Sequence, residues 1–338
     1  MSKSSAPPRP QGEMTSAERF RKIMRFGSPD RVPYFEEGIR DEVIKAWQTE
    51  GLTPQTDLNQ LFPTDRRREI QLDLEPLPRF ENWPRCIADL DTMRDRLDHL
   101  DPGRFPENWS DVVRSSKTDG QVNMLRVHRG FFQAMGVQEW DRFHELMQLT
   151  VYDPEFVRQA MLIQGQFSAR LVERVLNEIQ IDAAIFSEPI GGNDRPLISP
   201  KMYEELVLKS YSPILEALNR GKVHTVIFRT YANAKILISS ILKWGFNCLW
   251  ACEVNAEAMD YRTLRREFGP DLRLIGGIDL DALRQGKAAI KRELHAKIPP
   301  LLIDGGYVPM ADGRVREDVP FRNYIYYRRL LKRITEGL

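Results

Sequence analysis

Polar and charged side chains follow nearly every apolar segment of this chain that has the pattern of a β-strand. In chain order they are Tyr34, Glu36, Glu37, Arg126, His128, Glu188, Arg229, Tyr231, Glu253, Asp279 and Asp312. Carboxylates and imidazoles can accept and return protons, a phenol can donate one, and a guanidinium can bind a carboxylate or stabilise an oxyanion. If the strands are parallel, their carboxyl ends meet and these groups share one cavity. At any single position, a helix N-cap or a solvated loop residue is the alternative interpretation.

Glu188 is the strongest catalytic candidate. It follows the apolar run AAIFS and precedes Pro189, which ends the strand, so its carboxylate is expected to project into the cavity. Burial there would raise its pKa towards the range useful for proton transfer. Arg229 and Tyr231, at the end of VHTVIFRTY, are the other two catalytic candidates. The alternative for Arg229 is a structural network in which it only neutralises Glu253.

A second group of side chains is predicted to bind the substrate. Its members are Tyr34, Glu36, His128, Asn233, Glu253, Asp279 and Asp312. No metal site is predicted from the cysteines, because Cys248 and Cys252 stand four residues apart with nothing nearby to complete a ligand set. A site built from His224 and the acids Glu188, Glu253 and Asp312 stays open as an alternative, although His224 stands at the start of its strand. On a strand both cysteines would face the same side, as plain buried thiols.

Strand-like and helix-like segments alternate from Gln121 to the end of the chain. VNMLRVH, DAAIFSEP and VHTVIFRTY are typical strands, and residues 154–179 form a long amphipathic helix pattern. Such alternation predicts βαβ units and a parallel sheet. Neither GxGxxG nor GxxxxGK[ST] occurs, so a doubly wound nucleotide-binding sheet is disfavoured. We therefore predict a single α/β domain, a (β/α)8 TIM-type barrel with an N-terminal extension and an extra loop or hairpin segment.

The chain divides into three regions by composition. Residues 1–14 are rich in Ser, Pro and Gly and predict a disordered tail. Residues 15–338 are expected to form the barrel, with a helix beginning at Thr15 or Ser16 and a short first strand at 32–35. Within it, residues 60–115 form either a lid or a small subdomain, which the pattern leaves open.

The net charge and the cysteine content limit the kinds of molecule that the chain is expected to bind. Lys and Arg total 49 against 48 Asp and Glu, a formal net charge of +1, which gives no electrostatic footprint for nucleic acid or an anionic membrane. No apolar run approaches the length of a membrane-spanning helix. Three cysteines in 338 residues argue against a disulfide framework and suit a reducing cytoplasm. The predicted partner is therefore a small molecule.

Four segments resemble the uroporphyrinogen decarboxylase superfamily, which also contains corrinoid-linked methyltransferases. They are RFRKIMRFGSPDRVPYFEEG, SEPIGGNDRPLISPKMYEELVLKSYSPI, GFNCLWACEVNAEAMDYRTLRREFGPDLRLIGGIDLDALRQG and GGYVPMADGRVREDVPFRNYIYYRRLL. Together they span roughly residues 17–333. The resemblance implies a (β/α)8 barrel with its pocket at the carboxyl ends of the strands, and it implies a homodimer.

The resemblance is weaker at the motifs that determine the reaction in this superfamily. Uroporphyrinogen decarboxylases carry an arginine-rich RQAGRY-type motif after the first strand, whereas this chain has YFEEGIRDE, whose Glu36 and Glu37 would repel a polyanionic substrate. The thiol-activating methyltransferases place His-x-Cys where Arg229-Thr230-Tyr231 stands here, so their thiolate–zinc site is not matched.

The resemblance therefore implies demethylation of a methylated small molecule, such as a methoxylated aromatic, with the methyl group passed to a corrinoid on a partner protein. No tightly bound cofactor is expected. Two alternatives stay open: a cofactor-free decarboxylase acting on another substrate, with Arg229 binding its carboxylate, and a barrel that binds a ligand without turning it over.

Overall fold

The computed structural model describes residues 13–192, 194–253 and 258–336. Most of the predicted tail, residues 1–12, lies outside the described residues. The strands are β1 Arg67–Gln71, β2 Val122–His128, β3 Ala183–Glu188, β4 Thr225–Thr230, β5 Cys248–Ala251, β6 Arg273–Ile278 and β7 Tyr307–Ala311. The helices are α1 Ser16–Met24, α2 Asp41–Thr49, α3 Leu58–Leu61, α4 Leu90–Arg96, α5 Trp109–Ser116, α6 Phe131–Ala134, α7 Trp140–Tyr152, α8 Pro154–Glu178, α9 Pro200–Tyr203, α10 Lys209–Arg220, α11 Ile238–Lys243, α12 Tyr261–Phe268, α13 Leu280–Arg284, α14 Lys287–Ile303 and α15 Phe321–Glu336.

The seven strands form one parallel sheet in the order β1 to β7, each strand pairing with the next along the chain. Because the order never reverses, the sheet is singly wound and curls in one direction, as predicted from the alternating pattern and unlike a doubly wound sheet. All strands consequently point their carboxyl ends to the same edge.

An eighth strand is not present among the described residues, so the full eight-stranded barrel is not confirmed. The segment at 32–35, predicted as the first strand, is extended but pairs only locally: the Tyr34 carbonyl accepts a hydrogen bond from Asp65 N–H at 2.8 Å. Farther on, Ile39 forms a single parallel bridge with Val315. Pro33 has no N–H for a ladder, and Gly38 with φ +97° breaks the extended path.

The inner face of the curled sheet is packed with apolar side chains from alternate strand positions. The buried members of this inner cluster are Phe20, Ile23, Met24, Val32, Phe35, Val122, Met124, Ala183, Ile185, Ile227, Cys248, Trp250, Cys252, Ile275, Val308 and Met310. The first three belong to α1, which therefore closes the amino-terminal end of the sheet. Thr15 caps that helix, in agreement with the predicted start at Thr15 or Ser16, and it forms a capping box with Glu18. Cys248 and Cys252 both lie in this cluster, on the same side, as predicted.

The outer face of the sheet packs against helices, above all α8 and α10. Ala184 and Phe186 of β3 and Phe228 of β4 belong to this outer cluster together with residues of those helices. The α8 helix, Pro154–Glu178, matches the amphipathic pattern predicted for 154–179. Of the described helices, none combines the length and apolar character that crossing a membrane requires.

The segment 60–115 contains β1 and several short helices, and its described residues form no hairpin, since β1 pairs in parallel with β2. Arg104 organises it: this fully buried guanidinium donates to the carbonyls of Asp98 and Arg96 at 2.9 and 2.8 Å, and also to those of Asp73 and Glu75. Leu90, Met93 and Leu97 join the outer hydrophobic cluster rather than a core of their own. A lid role for the segment stays a prediction.

Candidate active site at the mouth of the sheet

Alternation along β4 decides which groups enter the mouth of the curled sheet. Ile227 packs in the inner cluster and Phe228 in the outer one, so Arg229 points inward again and Thr230 outward. The Arg229 guanidinium lies over the ring of Trp250, 5.2 Å from its centroid, which places it on the inner face near the carboxyl ends of the strands.

Glu69 of β1 is the partner of Arg229. Two hydrogen bonds join them, from Nη1 to Oε2 at 2.8 Å and from Nη2 to Oε1 at 3.0 Å, the bidentate geometry that a guanidinium and a carboxylate favour. Burial works against the charge of Glu69, but the hydrogen bonds and charge of Arg229 outweigh it and lower the pKa of Glu69. The sequence interpretation that paired Arg229 with Glu253 is wrong.

Arg67, two residues before Glu69, lies on the same inner face. Its guanidinium stacks over Trp250 at 5.0 Å and over Phe35 at 5.5 Å. It forms an ion pair with Glu37 at 3.0 Å. Trp250 thus contacts two guanidiniums, those of Arg67 and Arg229, through cation–π interactions.

Arg126 of β2 is the third inward-facing arginine. Its neighbours in register on the inner face, Met124 and Val122, belong to the inner cluster. Its Nε is buried without a hydrogen-bond partner, and within the described ranges its guanidinium forms no ion pair. Burial and then the charge of Arg229 lower the pKa of Arg126. We refer to Arg67, Glu69, Arg126, Arg229 and Trp250 as the arginine mouth.

Tyr231 lies at the rim of the arginine mouth. It follows β4 directly, and its side chain is 45% exposed. Burial is the main cause that raises its pKa, and the charge of Arg229 opposes the rise, so the phenol keeps its proton at neutral pH. Tyr231 therefore combines a proton to donate, a cationic neighbour and access from outside, and its catalytic role stays a prediction.

Glu188, in contrast, lies on the opposite face of the sheet from Arg229. Its carboxylate accepts hydrogen bonds from the N–H of Phe131 at 2.9 Å and from the hydroxyl of Tyr211 on α10, and the side chain is fully buried. The prediction that it projects into the cavity is wrong, because Ala183 and Ile185 occupy the inner positions of β3 and the two-residue period places Glu188 outside. Burial does raise its pKa, to about 8, but among outer helices.

His128 also lies on the outer face, so its prediction as a substrate-binding group in the mouth is wrong. Its ring lies 4.6 Å from that of Tyr211, and its Nδ1 accepts a hydrogen bond from the N–H of Gly130 at 3.0 Å. The pairing of β2 with β3 shifts register between Arg126 and His128, and this irregularity turns His128 outward. Burial lowers its pKa to about 3, so the imidazole is neutral.

Tyr34 and Glu36 face the closing helix α15 instead of the mouth. The Tyr34 hydroxyl bonds with Thr335 at 2.9 Å. The Glu36 carboxylate accepts from the Tyr327 hydroxyl at 3.1 Å and pairs with Arg328 at 2.9 Å. Their substrate-binding prediction is therefore wrong in position, and the adjacent Glu37 is the residue that reaches the mouth.

Asn233 and Asp279 serve the local backbone. Asn233 Oδ1 accepts from Lys235 N–H and its Nδ2 donates to the Asp194 carbonyl, each at 3.2 Å, which ties together the loops after β3 and β4. Asp279 caps α13 by accepting from Asp281 N–H at 2.8 Å. For both, the structure favours a turn or cap over the substrate contact that the sequence predicted.

Glu253 and Asp312 follow β5 and β7 at the carboxyl edge of the sheet. The Glu253 N–H donates to the Asp312 carbonyl at 2.5 Å, and Glu253 adopts φ +53°. Asp312 accepts weakly from Leu280 N–H at 3.3 Å. Burial, and then the charge of Asp279, raise the pKa of Asp312 to about 7. Contact between either residue and a substrate stays a prediction.

Three residues of the arginine mouth, Arg67, Glu69 and Trp250, are absent from the groups that the sequence placed at the strand ends, whereas Arg126 was among them without an assigned role. Arg67 and Glu69 lie on β1, which the sequence analysis did not predict as a strand of the site. A signal was present, because Arg67, Glu69 and Gln71 alternate with the outward Ile70, and charged groups on the inner face of a parallel strand mark the cavity. Among the described residues, no group of three His, Cys, Asp or Glu side chains is arranged to hold a metal ion.

Comparison with known proteins identifies the fold. No protein-family model matches the chain, and no curated protein matches it in sequence. A methyltransferase from Methanosarcina mazei superposes with a TM-score of 0.58 at 14% identity, covering 95% of this chain and 99% of that one. Xylanase B from Clostridium stercorarium F9 superposes with a TM-score of 0.44 at 12% identity, covering 89% and 88%, which is too distant to support an argument. The chain therefore shares the fold of a methyltransferase over nearly its whole length.

Proposed function

We propose that this chain is an enzyme of small-molecule methyl transfer that holds its substrate in the arginine mouth. The observation that carries the proposal is that Glu69 of β1 meets Arg229 of β4 at the carboxyl edge of the sheet, with Tyr231 directly after β4. Active sites in barrels of this class are built at that edge. The likeness in fold to a methyltransferase is the second support, and it is an analogy of fold.

Tyr231 is the proposed general acid. When the bond between a methyl carbon and an ether oxygen breaks, the oxygen keeps the electron pair and needs a proton, which the phenol supplies. Arg229 beside it stabilises negative charge as it develops on that oxygen. Glu69 holds Arg229 in place through its two hydrogen bonds, so its role is positioning.

The proposed methyl acceptor is a corrinoid carried by a partner protein, which supplies the nucleophile when it is present. The fit of this acceptor rests on access: Tyr231 stands at the rim with nearly half of its side chain exposed. A homodimer in a cytoplasmic setting accompanies this proposal as a prediction, and sedimentation analysis would measure the oligomeric state.

The test is methyl transfer from methoxylated benzoates to reduced cobalamin, followed by the change in visible absorbance. Tyr231→Phe is expected to lower the rate about 100-fold, in the range typical of losing a general acid, with an unchanged melting temperature. Tyr152→Phe on α7, whose side chain is 85% exposed, is the matched control and should keep the wild-type rate. A Tyr231→Phe variant with full activity would contradict the role of the phenol.

Decarboxylation is a second candidate, favoured by the inward arginines because a guanidinium can hold a substrate carboxylate. Release of carbon dioxide from a carboxylic acid without added cofactor, with no methyl transfer, would support it. The third alternative, a ligand-binding barrel without chemistry, predicts ligand affinity with neither reaction.

A further inference from the structure

Arg126 lacks a partner in a site where the other two arginines have theirs. Arg229 gives two hydrogen bonds to Glu69, and Arg67 pairs with Glu37 and donates to the Glu36 carbonyl at 3.1 Å. Within the ranges that the structure describes, Arg126 forms no hydrogen bond or ion pair, and its Nε is completely buried. A buried polar group without a partner is uncommon in folded proteins and calls for an explanation.

The charges of the mouth do not cancel. Among the described residues, three guanidiniums of the mouth, Arg67, Arg126 and Arg229, face two carboxylates, Glu37 and Glu69, which leaves one positive charge in excess. A guanidinium does not lose its proton in proteins, so Arg126 stays cationic although burial lowers its pKa. A negatively charged group on a bound ligand would supply a counter-charge for Arg126.

We propose that the substrate of this site carries a single carboxylate, bound by Arg126; this deepens, and rests on, the proposed function. A guanidinium presents parallel N–H groups that match the two oxygens of a carboxylate. One excess positive charge matches a monoanion. Glu69, close enough for its charge to act on Arg126, repels a second negative charge and so disfavours dianions such as phosphate.

The remaining neighbours of Arg126 agree with this assignment. The rim group Tyr231 also acts on Arg126, so a carboxylate on Arg126 leaves the other end of the molecule near the proposed proton donor. Arg229 is held by two hydrogen bonds from its Nη atoms to Glu69 and lies against Trp250, while its Nε has no partner, so it stays in position for the reacting oxygen. Arg126 therefore anchors, while Arg229 and Tyr231 face the bond that breaks.

The experiment measures binding by calorimetry at pH 7 with 4-methoxybenzoate, its neutral analogue 4-methoxybenzamide, and inorganic phosphate. The wild-type chain is expected to bind the benzoate at least about tenfold more tightly than the amide, the equivalent of about 1.4 kcal/mol. Arg126→Gln is expected to abolish that difference. Arg170→Gln, an exposed arginine on α8, changes the net charge equally and should leave both affinities unchanged.

Equal affinity of the wild-type chain for benzoate and amide would overturn the proposal, as would tighter binding of phosphate. So would an Arg126→Gln variant that keeps the wild-type preference. Unfolding of Arg126→Gln in the absence of ligand would also count against the proposal, because a side chain that has no partner in the protein should not be needed for folding. Arg126→Lys, which keeps the charge, should retain part of the preference for the benzoate over the amide.

Failure of this inference is distinguishable from failure of the proposed function. Arg126-dependent binding of the benzoate without methyl transfer to cobalamin would support the carboxylate site and remove the methyl-transfer proposal. Methyl transfer from neutral methoxybenzene as fast as from the benzoate would support methyl transfer and overturn the carboxylate anchor.

Discussion

Replacing Glu188 by glutamine should change how the stability of this protein depends on pH. The folded protein holds Glu188 fully buried behind β3, where burial raises its pKa from the ordinary 4.5 to about 8. Between these values the unfolded chain has released the proton and the folded chain still keeps it. The free energy of unfolding therefore falls as the pH rises through this window. Below pH 4.5 both states are protonated, and above pH 8 both are ionised.

The size of the effect follows from the width of the window. Each pH unit between 4.5 and 8 corresponds to about 1.4 kcal/mol, so this one carboxyl costs the wild-type chain about 5 kcal/mol by pH 8. Glutamine has nearly the same shape, can accept the hydrogen bonds from Phe131 N–H and the Tyr211 hydroxyl, and does not titrate. The amide group of the glutamine that has no partner changes the free energy of unfolding by an amount that does not vary with pH.

The assay is urea unfolding of the wild-type chain and Glu188→Gln at pH 5, 6, 7 and 8. The difference in unfolding free energy between the two is expected to shift in favour of the glutamine variant at each step, and all other titrating groups cancel in that difference. A difference that stays constant from pH 5 to pH 8 would refute the buried, protonated carboxyl. Because Glu188 lies outside the mouth, the variant should also keep the activity of the wild-type chain.

Two further variants test which contacts stabilise the fold. Gly277→Ala should lower the unfolding free energy measured in urea by about 2 kcal/mol or more, because Gly277 has φ +83° and a Cβ there would stand 2.6 Å from the ring of Tyr261. Gly245→Ala is the control: Gly245 has φ +99° but open space around it, so this substitution should cost less, and equal losses would mean that the contact with the Tyr261 ring contributes nothing. Arg104→Ala should cost about 3 kcal/mol, because it leaves buried carbonyls without their donor, and a loss below about 1 kcal/mol would contradict its role in the segment 60–115.

The polar residues that follow apolar strands predicted the edge of the sheet at which these groups lie, but not the face on which each of them lies. Arg229 and Tyr231 were predicted from their place after an apolar strand, and both lie at the mouth. Glu188 is the last residue of β3, in register with the outward Thr230 of β4, and lies outside. Successive strand residues alternate between the two faces of the sheet, so the face on which Glu188 lies depends on the face that the first residue of β3 occupies. In the run AAIFS, apolar residues do not alternate with polar ones, because both faces of β3 are buried, so the run does not show which face each residue occupies.

His128 failed for a different reason. On β2, alternation from the inward Arg126 would have pointed His128 inward too. The shift in pairing between Arg126 and His128 interrupts the alternation, so His128 points outward. Such irregularities arise from contacts between strands that are far apart in sequence. Local pattern alone could not reveal it.

Partner choice was equally out of reach of the sequence. Arg229 and Glu69 are separated by 160 positions, and they meet because the sheet curls and brings the inner faces of β1 and β4 towards one another. Glu36 and Glu37 are adjacent in sequence, yet one pairs with Arg328 of the closing helix and the other with Arg67 of the mouth.

By itself, the sequence determined the alternation of strands and helices, the parallel sheet, the helix cap at Thr15 and the edge at which polar groups collect, because these follow from local periodicity and capping. Only the tertiary structure decided the side of the sheet for Glu188 and His128, the pairing of Arg229 with Glu69, and the unmatched charge of Arg126. Those depend on strand register and on the curl of the sheet, which are set by packing among residues distant along the chain.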